Sequence, residues 1–398
     1  MGVIFYSVSG EGMGHATRSE VVIKHLLKKH KLVIFSYDRA FKYLKKEFYK
    51  KKNVLDIVEI SGINFVYEKN EFKLGKTALQ ESAKIKPFLI DNNKIITDKV
   101  IEYMPNIVIA DFEPFSATIA SLLKIPLIAI DNQGIFSKCV LDEKFEKNLQ
   151  VKFVQYLRTF LGDYNFIITV FKVPIKKKCK HNTYLIHPIL RSNIIKAKVE
   201  KKDHILVYQT SVSNKKLFDV LKSTNEKYII YGFNKAKVDK NLIFKKPSKK
   251  EFSKDLASCK AVITNGGFTL ISEALYLKKP VYSIPVRKQI EQEINGFYLE
   301  KSGYGIYSEE INIQNLRYFL SNLKIYEQNL KKLKLDVNNF DMLDKKINQL
   351  IKSYEIPKRA QMLSNIVNKR DELVNKFLEQ RKKLEKFTKK ITEQIIKS

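Results

Sequence analysis

A chain of 398 residues that is 44% hydrophobic and 29% charged can hold two core-bearing domains and an appendage, and this is the profile of a globular protein. Its three cysteines, Cys139, Cys179 and Cys259, lie far apart without CxxC spacing, which argues against a disulfide framework or a zinc site. The formal charge of +31 raises nucleic acid as a partner, yet only nine of the 73 basic residues are arginine, the side chain that base readout favours; a lysine-rich composition or attraction to an anionic membrane face explains the charge better, and no specific nucleic-acid partner is expected.

Residues 3–8 read as an apolar strand that runs directly into a glycine loop, which a signal peptide would not do. The loop Ser9 to Ser19 has Gly10, Gly12 and Gly14 at alternate positions, and Val21, Val22, Leu26 and Leu27 mark a helix behind it. Its final position is His15, so the dinucleotide spacing G-x-G-x-x-G is not met, and NAD is the weaker reading. A lone histidine at a helix start is usually a surface residue. Asp111 changes the balance, because Ile107 to Ala110 reads as a buried strand that ends in it. If the first half is doubly wound in the order 3-2-1-4-5, the strand ends near His15 and at Asp111 are neighbours at the switch point, where a carboxylate can hold the imidazole. Glu113 and Asp131 are the next candidates for a base. The apolar window Ile107 to Ile130 is interrupted by Asp111, Glu113, Pro114, Lys124 and Pro126, so no membrane-spanning helix is expected. Ile125 to Ile130 is a further strand, and its exit Asp131-Asn132-Gln133 either lines the same crevice or is a plain polar loop.

Phe166 to Val170 and Tyr184 to Ile186 look like the last strands of the first half, and a polar linker from Ser192 to Asp203 follows. The second half restarts at His204 to Tyr208, with Ser211 and Ser213 in the next loop. Ala261-Val262-Ile263 then leads into Thr264-Asn265-Gly266-Gly267, after which Phe268, Ile271, Ala274 and Leu275 recur at helical spacing. Strand, tight turn and helix start together offer unpaired N–H groups to a phosphate. Glu273, one and a half turns further, suits two ribose hydroxyls. Lys279-Pro280 stops the helix, and Glu291 to Asn295 opens the next one beyond the strand Val281 to Pro285. The plainer reading is an ordinary βαβ unit with an acidic helix start. Helices from Ile313 to Tyr354 should close the second domain and cross back to the first. The tail from Ile356 carries an apolar stripe through Leu363, Ile366, Leu373, Phe377 and Leu384 with a basic opposite face; packing on the body, a coiled coil and an anionic bilayer surface all remain open.

The order Asn-Gly-Gly-Phe, Ser-Glu-Ala-Leu, Lys-Pro-Val, Ile-Pro-Val, Glu-Gln, Asn, Leu-Glu, Gly-Tyr-Gly within 264–305, with Gly-x-Gly-x-x-His-x-x-Arg at 10–18, resembles inverting GT-B glycosyltransferases. The pattern is that of the MurG-like and UDP-glucuronosyltransferase-like groups, especially a prokaryotic branch with that opening loop, and it covers about residues 1–305. The resemblance implies an α/β fold of GT-B architecture, two Rossmann-like doubly wound domains facing a cleft, with a C-terminal helical extension. An acceptor-binding domain is expected at 1–190, a nucleotide-sugar-binding domain at 204–354 and a basic amphipathic helical tail at 355–398.

It also implies transfer of a sugar from a nucleotide-sugar, most simply UDP-linked, to an acceptor hydroxyl with inversion. The nucleotide-sugar is a co-substrate, with no cofactor and no metal. His15 would be the general base, its ordinary pKa of about 6.5 suiting it to a hydroxyl proton, and Asp111 would orient it. The donor would meet Gly266, Gly267, Phe268, Thr269, Glu273 at the ribose, Glu291 and Gln292 at the sugar, and Asn295 and Ser211. Arg191 joins them because His187-Pro188-Ile189-Leu190-Arg191 resembles the family's Asn-Pro-Val-Arg junction, with His187 in place of Asn. Gly12, Gly14 and Arg18 would form the acceptor-side loop. A cytoplasmic protein is expected, with attachment to the inner membrane face and a lipid-linked acceptor as options. A nucleotide-sugar 2-epimerase of the same fold and a non-catalytic nucleotide-sugar-binding protein are the alternatives.

Overall fold

Strands buried on both faces read as almost unbroken apolar runs, and neighbouring residues along them feed different layers of core. In the first strand Ile4 and Tyr6 pack with Val22, Ile34 and Ile109, while Phe5 between them packs with Val33, Phe35 and Val108. The computed structural model describes residues 1–10, 12–62, 66–68, 71–72, 91–209 and 215–354, with three isolated positions beyond. The expectations for the tail at 355–398 therefore lie outside the described residues.

The first sheet contains β1 (Val3–Val8), β2 (Lys31–Ser36), β3 (Val54–Glu59), β4 (Ile107–Asp111), β5 (Leu127–Asp131), β6 (Tyr164–Ile168) and β7 (Thr183–Ile186). Its order is β3-β2-β1-β4-β5-β6-β7, parallel throughout, so the doubly wound order read from the sequence is the one found. The second sheet contains β8 (His204–Tyr208), β9 (Lys227–Tyr231), β10 (Lys237–Asp239), β11 (Leu242–Phe244), β12 (Ala261–Thr264), β13 (Val281–Ser283) and β14 (Gly305–Tyr307). Its order is β10-β11-β9-β8-β12-β13-β14, and only β10 runs antiparallel. Each sheet reverses its winding beside its first strand, which places a crevice at the carboxyl ends of β1 and β4 and another at those of β8 and β12.

The helices that concern the site are α1 (Met13–Leu26), α2 (Asp38–Phe48), α3 (Pro114–Leu122), α4 (Lys249–Ser258), α5 (Phe268–Tyr276), α6 (Ile290–Lys301) and α7 (Asp341–Ser353). One apolar cluster is continuous between the sheets, from Ile4 and Tyr6 to Leu206, Val262 and Ile271. Phe171 meets Phe268 edge-on within it, with ring centroids 6.4 Å apart. The chain also crosses back as expected. Asp344 on α7 binds His25 at 2.7 Å and Lys29 at 2.6 Å, and Ile347 and Leu350 join the same core. The end of the 204–354 segment thus packs on α1. Among the described residues no helix is long and apolar enough to cross a membrane.

Ile347 has no exposed surface. Ile347→Ala should therefore cost about 2–5 kcal/mol of stability, read as a lower urea midpoint with an unchanged slope.

Candidate functional site

The register of β1 on β4 sets Val8 opposite Asp111, and the Ser9 N–H donates to the Asp111 carbonyl at 3.0 Å. The glycine loop therefore leaves β1 directly beside the end of β4. Three residues of α1 turn onto the Asp111 carboxylate, which is fully buried. His15 Nδ1 lies 2.7 Å from Oδ1, Ser19 Oγ donates to Oδ2 at 2.8 Å, and Arg18 reaches both oxygens, its Nε at 3.1 Å from Oδ2. Burial opposes ionisation of Asp111, but the charges of Arg18 and His15 outweigh it and hold the carboxyl at about 2.

Arg18 Nη2, which can only donate, lies 3.0 Å from the same Nδ1, whereas the carboxylate can only accept; a His15 proton on Nδ1 serves Asp111 and leaves the lone pair on Nε2, the nitrogen turned away from Asp111. That nitrogen lies 3.3 Å from the Gln133 Nε2 amide, which donates to Glu291 Oε2 at 3.0 Å. A relay Asp111–His15–Gln133–Glu291 thus begins at the first sheet and ends on α6, above the second. Gln133 is 3% exposed, and its Oε1 is buried with no partner among the described residues. Phe112, held at φ 52°, stacks on the other side of His15 with ring centroids 6.0 Å apart. Left-handed backbone at a bulky residue costs of order 1–3 kcal/mol and persists where its surroundings impose it.

On the second sheet, β12 ends in the Gly266-Gly267 turn. Gly266 has φ 88°, and a Cβ there would lie 2.7 Å from Ser283 Oγ and 2.8 Å from the Gln292 carbonyl, so no larger residue fits. Gly267 precedes α5 and has nothing within 4 Å of where a Cβ would point. The opposing loop of the first half comes close at this point, with Thr269 Oγ1 only 3.0 Å from a Cβ built on Gly14. The starts of α1 and α5 therefore meet, and both present unpaired N–H groups and the positive ends of their dipoles. Such a place favours an anion.

Several of the residues singled out from the sequence have partners within the protein. Arg191 and Glu273 engage each other in a two-pronged ion pair, Nε to Oε1 at 2.7 Å and Nη2 to Oε2 at 2.6 Å, with Glu273 only 1% exposed. The Phe268 side chain is in the core, so only its backbone faces the turn. Asn295 donates to the Gly266 carbonyl at 3.1 Å and so shapes the turn. Gln292 uses its Oε1 to accept from the Val286 N–H at 2.9 Å. Arg18 is not in an open acceptor loop: it is 5% exposed and committed to Asp111, while Gly12 at the start of α1 is exposed. Ser211 lies outside the described residues. The two reserve bases are also occupied. Glu113 caps α3, accepting from the Phe115 and Ser116 N–H groups at 2.7 and 2.9 Å, and burial pushes its carboxyl above the ordinary range. Asp131 binds Arg158 and accepts from the Gly134 N–H at 2.7 Å.

Two features had little or no signal in the sequence. Gln133 follows a strand in the right crevice, yet nothing in the chain order indicates that its amide links His15 to Glu291. Lys249 of α4 lies 2.9 Å from Glu47 and 3.7 Å from Glu20, and its ammonium sits 4.4 Å from the centre of the Tyr43 ring. These contacts add a second polar bridge between the halves.

A family model described as glycosyl transferase family 1 matches residues 2–324. A UDP-N-acetylglucosamine–N-acetylmuramyl-(pentapeptide) pyrophosphoryl-undecaprenol N-acetylglucosamine transferase of Clostridium botulinum is 30% identical over 158 residues, 36% of this chain and 42% of that protein. The chain thus matches under half the length of that relative. A protein of Methanosarcina mazei named as an uncharacterised glycosyltransferase is 26% identical over 378 residues, 85% of this chain and 95% of its own. Among solved structures, Arabidopsis thaliana UGT89C1 complexed with UDP-L-rhamnose superposes with a TM-score of 0.61 at 11% identity, covering 88% of this chain and 99% of that one. CalG4, the calicheamicin glycosyltransferase, gives 0.57 at 13%, covering 92% and 98%. At these identities the structures show a shared fold, the two-sheet GT-B architecture.

The buried charge at Asp111 has a measurable consequence. Its folded pKa lies below the ordinary 3.8, so the stabilisation it provides is complete above that value and is lost as pH falls through about 2. Wild type should lose about 2 kcal/mol more than Asp111→Asn over that interval, measured by urea denaturation at matched pH.

Proposed function

This chain belongs to glycosyl transferase family 1, and we propose from that membership that it moves a sugar from a UDP-linked donor to an acceptor hydroxyl with inversion. The observation that carries the proposal is the relay in which Asp111 holds His15 Nδ1 while His15 Nε2 and Glu291 share the Gln133 amide across the cleft. It links His15 Nε2 of one half, through a single amide, to the Glu291 carboxylate of the other, which supports a base that faces a sugar-hydroxyl contact across the cleft.

In the proposed step the acceptor hydroxyl takes the place of the Gln133 amide at His15 Nε2. Its oxygen attacks the anomeric carbon, the carbon–oxygen bond to the diphosphate breaks on the opposite face, and the hydroxyl proton passes to Nε2. Asp111 stabilises the imidazolium, as a carboxylate does in other His–Asp pairs. Arg18 keeps Asp111 ionised throughout. The departing nucleoside diphosphate carries its charge to the Gly266-Gly267 turn and the facing starts of α1 and α5, whose donors are already oriented. Glu273 would receive the ribose hydroxyls, and Glu291 those of the sugar. Arg191, already bound to Glu273, would hold that carboxylate in place and lie close to the phosphates.

The clostridial relative is named for a lipid-linked acceptor, pyrophosphoryl-undecaprenol. A lipid-linked hydroxyl acceptor at the inner membrane face is the corresponding proposal for this chain.

His15→Ala should keep its affinity for UDP in titration calorimetry and lose on the order of 10²–10⁴-fold in kcat with a UDP-sugar and acceptor. The double variant with Asp111→Asn should be little worse than His15→Ala alone, because the pair acts as one unit. Additive losses, or loss of UDP binding in His15→Ala, would remove the histidine from the role of base. Turnover should also persist in excess EDTA, since helix termini and Arg191 supply the positive charge; loss restored by magnesium would contradict this.

A further inference from the structure

Between α1 and α4 lies a groove of about 960 Å³ whose lining includes neither His15 nor the Gly266-Gly267 turn. Lys24 and Lys28 line it from α1, and Lys250 and Lys254 from α4. The segments that cross between the halves contribute Asn193 and Phe340. Within each lysine pair the residues are four apart, so both stand on one face of their helix, about 6 Å apart along its axis. Two cationic ladders therefore belong to one concavity. Its lining holds seven lysine and arginine side chains against two glutamates, Glu20 and Glu200.

The existing counter-charges serve only some of these cations. Lys24 pairs with Glu20, and Lys249 with Glu47 at 2.9 Å. Lys28, Lys250 and Lys254 are exposed and have no ion-pair partner among the described residues. Like charges collected in a concave site raise the local potential and are relieved by a bound anion. A single phosphate spans only one rung of a ladder, whereas an anion with several phosphates can engage both walls. Aromatic stacking surface is scarce, since the lining offers only Phe340, 8% exposed, and the His25 ring already stacked on it, which disfavours single-stranded nucleic acid.

We propose that this groove binds an oligophosphate, an anion carrying two or more phosphate groups. Because its walls belong to different halves, the bound anion ties α1 to α4 and opposes their separation. Arg191 lines the groove while holding Glu273, so occupancy also bears on the donor site. That last consequence rests on the donor reading above; the binding itself does not.

The test is calorimetric titration of the full chain with sodium tripolyphosphate, and in parallel sedimentation with phosphatidylglycerol vesicles. The variant is Lys28→Glu/Lys250→Glu/Lys254→Glu, and its control reverses three exposed lysines elsewhere, Lys324→Glu/Lys331→Glu/Lys332→Glu. Thermal midpoints and UDP affinity are measured on both, so that misfolding or failure of the donor reading shows separately. The groove variant should lose at least tenfold in affinity for tripolyphosphate and the control should lose little, with wild-type affinity falling as salt rises. Groove-dependent binding of tripolyphosphate supports the site, whereas groove-dependent binding of the vesicles alone assigns the groove to single-phosphate lipid headgroups and overturns the oligophosphate. Absence of binding in both arms, or equal loss in the two variants, overturns it.

Discussion

Asp111 carries a negative charge with none of its surface in water, a state that costs several kcal/mol unless partners compensate it. The compensation is local and dense: Arg18, Ser19 and His15 all come from the first two turns of α1. Meeting that demand fixes how α1 sits on the end of β4 and which nitrogen of His15 faces away from Asp111 toward Gln133. Of the preceding loop, Gly10 leaves no room for a Cβ, which would collide with the Tyr37 ring, and Gly12 enters the helix at φ 79°. The orientation of His15 and the relief of a buried charge are here the same arrangement.

The second constraint is that the site is shared. Gly14 against Thr269, Gln133 against Glu291, Lys249 against Glu47 and an apolar cluster continuous from Ile4 to Val262 join the two halves. The polar bridges can exchange partners at little cost, because water or a ligand can replace them, whereas the apolar cluster resists separation. Among the described residues, three of the buried polar atoms without a partner lie in the relay or beside the glycine turn: Gln133 Oε1, Gln209 Nε2, whose residue binds Asn265, and Ser283 Oγ, next to Gly266. An unsatisfied buried polar atom costs about 1–3 kcal/mol, and a polar ligand that supplied a partner would recover part of that cost.

Much of this was legible in order along the chain. Apolar strands alternating with helical spacing, the glycine turns at 10–14 and 266–267, and a carboxylate closing the strand at Asp111 all follow from local patterns, and the doubly wound order then places His15 and Asp111 together. Side-chain commitments were not legible. Arg18 reads as a loop residue and proves to be buried, Arg191 reads as a donor contact and is bound to Glu273, and Asn295 reads as a donor contact and braces the Gly266 carbonyl.

The sequence by itself determined the two α/β units, the crevice in each and the residue types gathered there, because strand burial, helix periodicity and glycine conformation are set by neighbours a few positions apart. Only the tertiary structure decided the partners. The pairing of residues 82, 96 and 158 positions apart at Arg191–Glu273, His15–Asp111 and Gln133–Glu291 depends on how the sheets and their helices pack. Hydrogen bonds and ion pairs act over about 3 Å, a scale that packing alone resolves.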